Sequence, residues 1–294
     1  MATIYSFRYR NTEGLEVSMG TEKPFLITGR EGLGAVDNNI TTQNQYGLDG
    51  ASLVSQQLAV REIKLTGEMV GTSLAEMQEN RQTLISIFNP QLAGTLYYTV
   101  NENTYMIDVL VEVAPDLDKS STMLSQEFTL QFKALQPYWS DLTRYDQLIP
   151  LSGLRKLWQF PFTIGSGMKF SEIVSGQIQT IENDGDVPVG AEFTMVLNSA
   201  AKNVRVLSID TQEFFGFSGS YEAGTTLYVN TKQGQKKATF TTLDGTVNNA
   251  MPRRMADSTF IELKKGMNYL QILADEGQDR IVTKMSFNPL VLGV

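Results

Sequence analysis

The stretch from Arg61 to Pro90 constrains the fold most, because a clear strand pattern runs directly into the strongest helix pattern of the chain. Between Arg61 and Met69, the apolar residues Ile63, Leu65 and Met69 alternate with polar or charged residues. This two-residue period is typical of a strand with one buried and one solvent-facing side. The chain therefore has to build at least one sheet around this segment.

The helix pattern that follows has a start signal and a stop signal. Ser73 and Glu76 stand at capping-box spacing, so each side chain can satisfy a free amide at the helix start. Asn89-Pro90 ends the pattern, because proline disfavours a helical conformation of the residue before it. The apolar residues at helical spacing are Leu74, Met77, Leu84, Ile85 and Phe88. A single amphipathic helix in a β-rich chain must pack on a sheet. The sequence thus predicts a mainly β protein whose N-terminal domain is β-sandwich-like, with one packed α-helix over about residues 73–88.

Arg81 falls in the middle of this apolar stripe. In the favoured interpretation, its stem packs while the guanidinium reaches solvent or a carboxylate at the sheet edge, as amphipathic side chains often do. The alternative is that this helix face meets a neighbouring subunit and that Arg81 pairs across the junction.

The chain contains no cysteine and no histidine. A disulfide framework, a thiolate nucleophile, a zinc–thiolate site and an iron–sulfur cluster are therefore excluded. A Ser–His–Asp triad and an imidazole base are excluded as well. Carboxylate chemistry remains open, but no pair of acidic residues stands out, so we expect a protein that is not an enzyme and has no cofactor.

The net charge of −8 is unevenly distributed. Residues 1–145 carry 10 Lys and Arg against 17 Asp and Glu, whereas residues 146–294 carry 14 against 15. Neither half offers a basic surface that neutralises phosphates, which disfavours nucleic-acid binding. No apolar run is long enough to span a bilayer. The first residues lack the layout of a signal peptide, so we expect synthesis in a cytoplasm.

Residues 30–58 differ from the strand patterns on both sides. Gly, Asn, Gln, Asp, Ser and Thr dominate the stretch, and apolar residues are scattered. A long irregular segment inside a compact domain is usually functional or disordered. We interpret it as a loop or arm that reaches across a neighbouring surface.

A second domain is predicted after a linker near residues 140–155, which gives domains 1–145 and 146–294. Tyr138 and Trp139 close the first domain and are predicted to pack between the two. The second half shows about ten short strand patterns separated by turn signals such as Gly216 to Gly219. Short strands at this spacing indicate a jelly-roll β-sandwich or barrel.

Two features of the second half are candidates for chemistry. Glu182-Asn183-Asp184-Gly185-Asp186 is the densest acidic cluster, but it lacks the ligand spacing of a calcium loop. A turn between strands is favoured over a weak calcium site. Trp139, Trp158, Tyr221 and Tyr228 are of the type that stacks on sugar rings, although each is more simply explained as core or interface.

The order of elements resembles the siphophage distal tail protein family. In the first half the resemblance lies in REIKLTGEM, in the helix and hairpin of SLAEMQENRQTLISIFNPQLAGTLYYTVNENTYMIDVLVEVAP, and in FTLQFKALQPYW. The second half is similar to the galectin-like C-terminal domain of that family. The residues that carry this similarity are Asn183, Gly185, Asp186 and Pro188 at its start, and Leu263, Gly266 and Asn268 near its end.

This resemblance implies a structural role in the phage virion, at the tail tip. Members form hexameric rings between the tail tube and the host-adhesion device, with a central channel for DNA. The implied partners are further copies of the chain, the tail tube protein, a tail-associated lysin-like protein and a receptor-binding protein. DNA would pass through without specific binding, and no membrane would be involved.

Within such a ring, we expect residues 30–58 to wrap a neighbouring copy. The residues predicted at the ring interface are Arg30, Asn38, Asn39, Gln45, Tyr46 and Arg81. An alternative function is a cell-wall carbohydrate-binding module that acts through the C-terminal sandwich, and a carboxylate-based glycosidase is a third.

Overall fold

A computed structural model describes residues 5–47, 49–117, 122–143, 148–156, 171–174 and 176–294. Strands dominate it, and the part of the chain so described contains one α-helix. The chain divides into two compact units. Unit 1 comprises residues 1–143 and 290–294, and unit 2 comprises residues 144–289. The prediction of a mainly β chain with one helix and two β domains is confirmed.

The elements follow one another in short succession along the chain. Those of unit 1, before the chain enters unit 2, are β1 Tyr5–Asn11, β2 Glu16–Gly20, β3 Phe25–Glu31, β4 Asn38–Asn44, β5 Ala51–Leu58, β6 Arg61–Val70, α1 Leu74–Ile87, β7 Ala93–Val100, β8 Asn103–Asp116, β9 Ser125–Ala134 and β10 Trp139–Asp141. Those of unit 2 are β11 Ile149–Pro150, β12 Gly153–Lys156, β13 Ser171–Val174, β14 Gln179–Asn183, β15 Val189–Gly190, β16 Glu192–Leu197, β17 Ala201–Ser208, β18 Phe214–Tyr221, β19 Thr226–Asn230, β20 Lys237–Thr241, β21 Val247–Asn249, β22 Glu262–Leu263, β23 Gly266–Leu273 and β24 Ile281–Ser286, with 3-10 turns at Met251–Arg253 and Gln278–Arg280. The last strand, β25 Leu290–Val291, returns to unit 1.

The main sheet of unit 1 closes on itself. Its strand order is β25-β10-β8-β7-β1-β2-β3-β6-β9, and β8 also pairs with β9. The long strand β8 pairs with β7 along one edge, and its second half pairs with β9. Closure leaves the inward faces of seven strands to form one core, and few edges are exposed.

Alternation along the strands fills this core as the sequence predicts. Ile63, Leu65 and Met69 of β6 are buried, and they lie beside Phe128, Leu130 and Phe132 of β9. Tyr9 stacks on Phe88 with ring centroids 4.6 Å apart. Burial of this many aromatic and aliphatic side chains is the main favourable term in the stability of the unit.

Helix α1 covers the core, as expected, but presents a slightly different stripe. Its cap forms as predicted: the Ser73 side chain accepts a hydrogen bond from the Glu76 amide, and Glu76 bonds back to Thr72. The buried residues are Met77, Leu84, Ile87 and Phe88. Leu74 and Ile85, which the sequence placed in the stripe, are exposed. Contact with the sheet is made around the Met77–Leu84–Phe88 line, and this leaves outside the side of the predicted stripe that carries Leu74 and Ile85.

Unit 2 contains two larger sheets. One has the order β11-β24-β16-β19-β20-β21, and the other has the order β14-β23-β17-β18. Each sheet buries one face: Phe193, Met195 and Leu227 belong to the first, and Val206 and Ile272 to the second. Two apolar faces of this kind are the hallmark of a β-sandwich.

Two details of the predicted layout are wrong. Residues 216–219 are not a turn between strands but the interior of β18. The side chain of Met255 packs so closely on Gly216 that any larger residue would overlap its sulfur, which explains a glycine inside a strand. The last five residues were assigned to the C-terminal domain, but they lie in unit 1, because β25 pairs with β10.

Candidate functional site

Strands β4 and β5 form a separate hairpin within residues 30–58. They pair only with each other among the strands of the described residues. Seven residue pairs connect them, from Asn38 with Leu58 to Asn44 with Ala51. Asp37 accepts a backbone hydrogen bond from Ala59 and closes the base of the hairpin. The hairpin thus leaves the closed sheet between β3 and β6.

Both faces of this hairpin are exposed. The residues of β4 are all exposed, as are those of β5 up to Gln57. Apolar side chains are exposed too: Ile40 is 58% and Leu53 60% accessible, and Tyr46 at the turn is fully accessible. An isolated two-stranded hairpin is marginally stable in water, so a partner that covers this one would add to its stability.

The two faces differ in chemistry. Ile40 and Thr42 share a face of β4, and Leu53 lies opposite Thr42, so Ile40 and Leu53 are on one side. Thr41 and Ser55 pair on the other side, and Val54 is the extra residue of a bulge. Between Asn38 and Leu58 the only charged residue is Asp49. The hairpin therefore combines an apolar face, an uncharged polar face and two open edges.

The residues predicted at a ring interface fall into two groups. Asn38, Asn39, Gln45 and Tyr46 lie on the hairpin and are exposed. The structure brings them together on one regular hairpin, within the stretch that we expected from the sequence to be an irregular loop or arm.

Arg30 and Arg81 lie away from that hairpin and have partners within unit 1. The Arg30 guanidinium stacks over the Tyr5 ring at 4.1 Å and donates a hydrogen bond of 2.9 Å to the Tyr98 hydroxyl. Arg81 is half-buried, and its guanidinium donates to the Gln126 side-chain oxygen at 3.1 Å. The interpretation that the Arg81 stem packs on the sheet therefore has a structural basis, with an amide in place of the expected carboxylate.

Sequence reasoning missed the apolar residues of the hairpin. Ile40, Leu53 and Val54 carry its exposed apolar surface, but no alternation marks them, because neither face of β4–β5 is buried in the subunit. The signal that was available is the near absence of charge across residues 38–58.

Tyr138 and Trp139, predicted between the domains, differ in burial. Trp139 is fully buried in unit 1, where its ring lies 6.3 Å from that of Tyr98 and 5.8 Å from the Arg61 guanidinium carbon. Tyr138 is half-buried. Packing between domains stays a prediction for both residues.

The acidic cluster of unit 2 is organised as a turn. Asn183 is fully buried, accepts a hydrogen bond from the Gly185 amide and donates to the Val187 and Leu263 carbonyls. Asp186 forms an exposed ion pair with Lys265 at 3.1 Å. Within the described ranges, no group of three or more acidic residues is arranged to hold a metal ion. The favoured interpretation, a turn between strands, agrees with this geometry.

Asn268 completes the same corner of unit 2 from the other side. Its side-chain oxygen accepts from the Lys264 amide at 2.8 Å, and its amide nitrogen donates to the Lys264 and Gly266 carbonyls at 2.8 and 2.9 Å. Asn183 pairs with Gly266 on the neighbouring strand. Two of the residues that carried the family resemblance, Asn183 and Asn268, are therefore buried structural asparagines.

The half-buried polar cluster Glu192, Tyr228 and Lys232 lies on the six-stranded sheet of unit 2. Glu192 accepts hydrogen bonds from Lys232 at 2.7 Å and from Tyr228 at 2.9 Å. Burial, followed by the bond to Glu192, raises the pKa of Tyr228 to about 12. Burial raises the pKa of Glu192, but the bonds from Lys232 and Tyr228 outweigh it, so the net shift is downward. The hydrogen bonds from Lys232 and Tyr228 hold the cluster together, and its geometry requires no ligand.

The three aromatic residues considered for sugar stacking that the structure describes form no open platform. Trp139 and Tyr221 are buried, and the Tyr228 hydroxyl is bonded to Glu192. Trp158 lies outside the described residues. No helix in the described ranges is both long and apolar enough to cross a membrane.

Two family models match the chain. One is described as a phage tail protein RIFT-related domain and matches residues 12–134. The other is described as a siphovirus-type tail component, C-terminal domain, and matches residues 184–289. Together the two matches span well over half of the chain. No curated protein sequence matches it.

Solved structures from two phages share the fold. The Dit protein of phage SPP1, described as a paradigm of the hub adsorption apparatus in phages that infect Gram-positive bacteria, has a TM-score of 0.66 and 13% identity, over 97% of this chain and 98% of that one. A chain of the phage p2 baseplate in its activated conformation has a TM-score of 0.51 in both its strontium and its calcium structures, at 12% and 13% identity, with the same coverage.

Proposed function

The chain belongs to the siphophage distal tail protein family and is a structural component of a phage tail, and from that premise we propose that it forms the hub of the tail tip. In this proposal, copies of unit 1 assemble into a hexameric ring between the tail tube and the host-adhesion device. The role is structural and involves no catalysis.

The observation that carries this proposal is the exposed hairpin β4–β5. It offers an apolar face with Ile40 and Leu53, and both of its edges have unpaired backbone groups. Native proteins usually protect such edges with charges, proline or a covering element. Here the strands contain no charged residue and no proline. The missing protection is expected if a second protein chain covers the hairpin.

A second copy of this chain is the partner that the hairpin fits. A projecting element that contacts a different surface of the next copy makes a heterologous contact, and repeated rotation of such contacts closes a ring. The hairpin, whose strands contain no charged residue, also avoids much of the repulsion that two copies of an acidic domain would otherwise feel. Asn38, Asn39, Gln45 and Tyr46 are the predicted hairpin contacts, and Arg30 and Arg81 are proposed on the receiving side.

The position proposed for the ring, at the tip of the phage tail, also suggests which other proteins it contacts. The tail tube protein, the tail-associated lysin-like protein and the receptor-binding protein are proposed to dock on the ring, within the virion. Residues 1–145 have an excess of seven acidic over basic residues. A channel lined by this unit would repel phosphates and let DNA pass without specific binding.

The test is the molar mass in solution, measured by light scattering over a concentration series. We expect the mass of the native chain to rise toward that of a hexamer. Ile40→Asp places a charge on the apolar face of the hairpin and is expected to hold the chain at lower mass. Thr41→Asp is the matched control, because it adds the same charge at the next residue, on the polar face.

The proposal fails if the native chain stays monomeric at every concentration in the presence of the tail tube protein. It also fails if Ile40→Asp assembles as well as Thr41→Asp does, because the apolar face would then have no part in the ring.

A further inference from the structure

The base of the hairpin β4–β5 is held by residues that are remote in the sequence. We call Gly32, Leu33, Gly34 and Ala35 the root, since they connect β3 to the hairpin. Leu33 is buried in the core of unit 1. Gly32 has a φ of +82°, and a side chain there would overlap the Glu62 carbonyl of β6. The root is therefore fitted closely against the closed sheet, in contrast to the exposed hairpin beyond it.

The last residues of the chain contact this root directly. β25 pairs with β10 through Trp139 with Val291. Beyond β25, the Val294 amide donates to the Leu33 carbonyl at 3.0 Å. Gly293 passes so near the root that a β-carbon there would lie 2.8 Å from the Gly34 carbonyl carbon and 2.9 Å from the Ala35 nitrogen. We call residues 290–294 the C-terminal segment.

Arg61 connects the C-terminal segment and the root. It is 2% exposed, at the first position of β6. One terminal nitrogen donates to the Gly32 and Gly34 carbonyls at 2.6 Å, the other donates to the Leu292 carbonyl at 2.6 Å, and Nε donates to the Pro137 carbonyl at 2.8 Å. A guanidinium is suited to this role, because it presents several donors in a rigid plane. A single buried side chain thus joins three separate segments of unit 1.

From these contacts we propose that the C-terminal segment and Arg61 form a clasp that fixes the direction of the hairpin. The clasp closes only after all of unit 2 has been made, because the C-terminal segment follows residue 289 and Leu292 is 231 positions from Arg61. The hairpin is then aimed at a neighbouring copy only after residues 290–294 have been made. The assembly part of this inference rests on the proposed function, whereas the clasp itself does not.

The clasp can be opened with small changes. Gly293→Ala places a methyl group against the backbone of the root, and removal of residues 292–294 takes away the Leu292 and Val294 contacts while keeping β25. Gly34→Ala is the matched control, because a β-carbon at Gly34 has no atom within 4 Å. It adds the same methyl group on the opposite side of the same contact.

The direction of the hairpin can be measured by pulsed electron paramagnetic resonance between two spin labels. The chain has no cysteine, so Tyr46→Cys at the hairpin turn and Glu13→Cys at the exposed β1–β2 turn are labelled uniquely. The measurement is made at concentrations where the protein is monomeric. A second pair, Glu13→Cys with Glu102→Cys, does not involve the hairpin and reports whether unit 1 remains folded.

We expect one narrow distance between positions 13 and 46 in the native chain and in Gly34→Ala. Gly293→Ala and the truncated chain should lose this narrow peak, while the distance between positions 13 and 102 is unchanged. Loss of hydrogen bonds to a charged group should also raise amide exchange of the root by ~10-fold or more. An unchanged distribution and unchanged exchange in both altered chains would overturn the clasp.

Assembly is then measured on the same proteins by light scattering. If the clasp aims the hairpin for assembly, Gly293→Ala should form rings less readily than Gly34→Ala. Equal assembly by the two would overturn that part of the inference. A native chain that shows the narrow distance but never assembles would instead contradict the proposed function and leave the clasp supported.

Discussion

Replacement of Asn268 by alanine tests the structural account of unit 2 most sharply. This buried side chain makes three hydrogen bonds shorter than 3.0 Å, which satisfy the Lys264 amide and the carbonyls of Lys264 and Gly266. Each such bond contributes a net ~1 kcal/mol, and a buried group left without a partner costs ~1–3 kcal/mol. Water reaches part of this turn, because Lys264 and Lys265 are exposed. We therefore expect Asn268→Ala to lower the free energy of unfolding of unit 2 by ~2–4 kcal/mol.

The measurement is a urea titration read out by hydrogen exchange of individual peptides. Peptides over β14 and β23 should lose protection at lower urea, since Asn268 lies at the start of β23 and faces Ile181 of β14. Peptides from unit 1 provide the internal control and should not change. The midpoint of thermal unfolding should fall by ~5–12 °C for a unit of this size.

Lys265→Ala is the matched variant in the same turn. It removes an exposed ion pair with Asp186, which contributes ~0–1 kcal/mol. If Asn268→Ala costs no more than Lys265→Ala, the buried asparagine does not hold the corner together and the reasoning is refuted.

Three further predictions concern the core, the polar cluster and DNA. Leu84→Ala should destabilise unit 1 by ~2–5 kcal/mol, because this residue is fully buried under α1, whereas Ile85→Ala next to it, 52% exposed, should cost under ~1 kcal/mol; chemical denaturation measures both. Burial and the hydrogen bond to Glu192 raise the pKa of Tyr228 to about 12, so the folded state holds this proton more tightly than the unfolded state does. The contribution of this difference to the free energy of unfolding is fully present below pH 10 and is lost between pH 10 and 12. The stability difference between the native chain and Tyr228→Phe should therefore shrink by ~1–2 kcal/mol over that range, after allowance for solvent screening. The chain should not raise the fluorescence anisotropy of a labelled DNA duplex at about 50 mM salt, where nonspecific electrostatic binding is strong. A rise in anisotropy would contradict the repulsive channel.

The sequence predicted the elements that bury one face. The alternation in β6 and β9 and the cap and stop of α1 are visible because core packing imposes a period on apolar residues. The order of these elements was enough to identify the family, although identity to the solved structures is only 12–13%.

Elements without a buried face, or with a distant partner, could not be predicted in this way. The strands β4 and β5 have no core-facing side, so their composition resembles that of a loop. Glycines inside β18 imitate a turn, since the packing of Met255 on Gly216 is not visible in one dimension. The return of β25 to unit 1 depends on contacts such as that of Arg61 with Leu292, which no local pattern encodes.

The central claim is that the hairpin crosses to a neighbouring copy in a ring. The most direct test is a photoactivatable crosslinker on Leu53→Cys, the single cysteine of that chain, followed by denaturing electrophoresis after illumination. The account predicts intermolecular products in a ladder that ends at six chains, and it predicts that Ile40→Asp in the same chain abolishes the ladder. Products confined to single chains, from a sample that light scattering shows to be assembled, would contradict it.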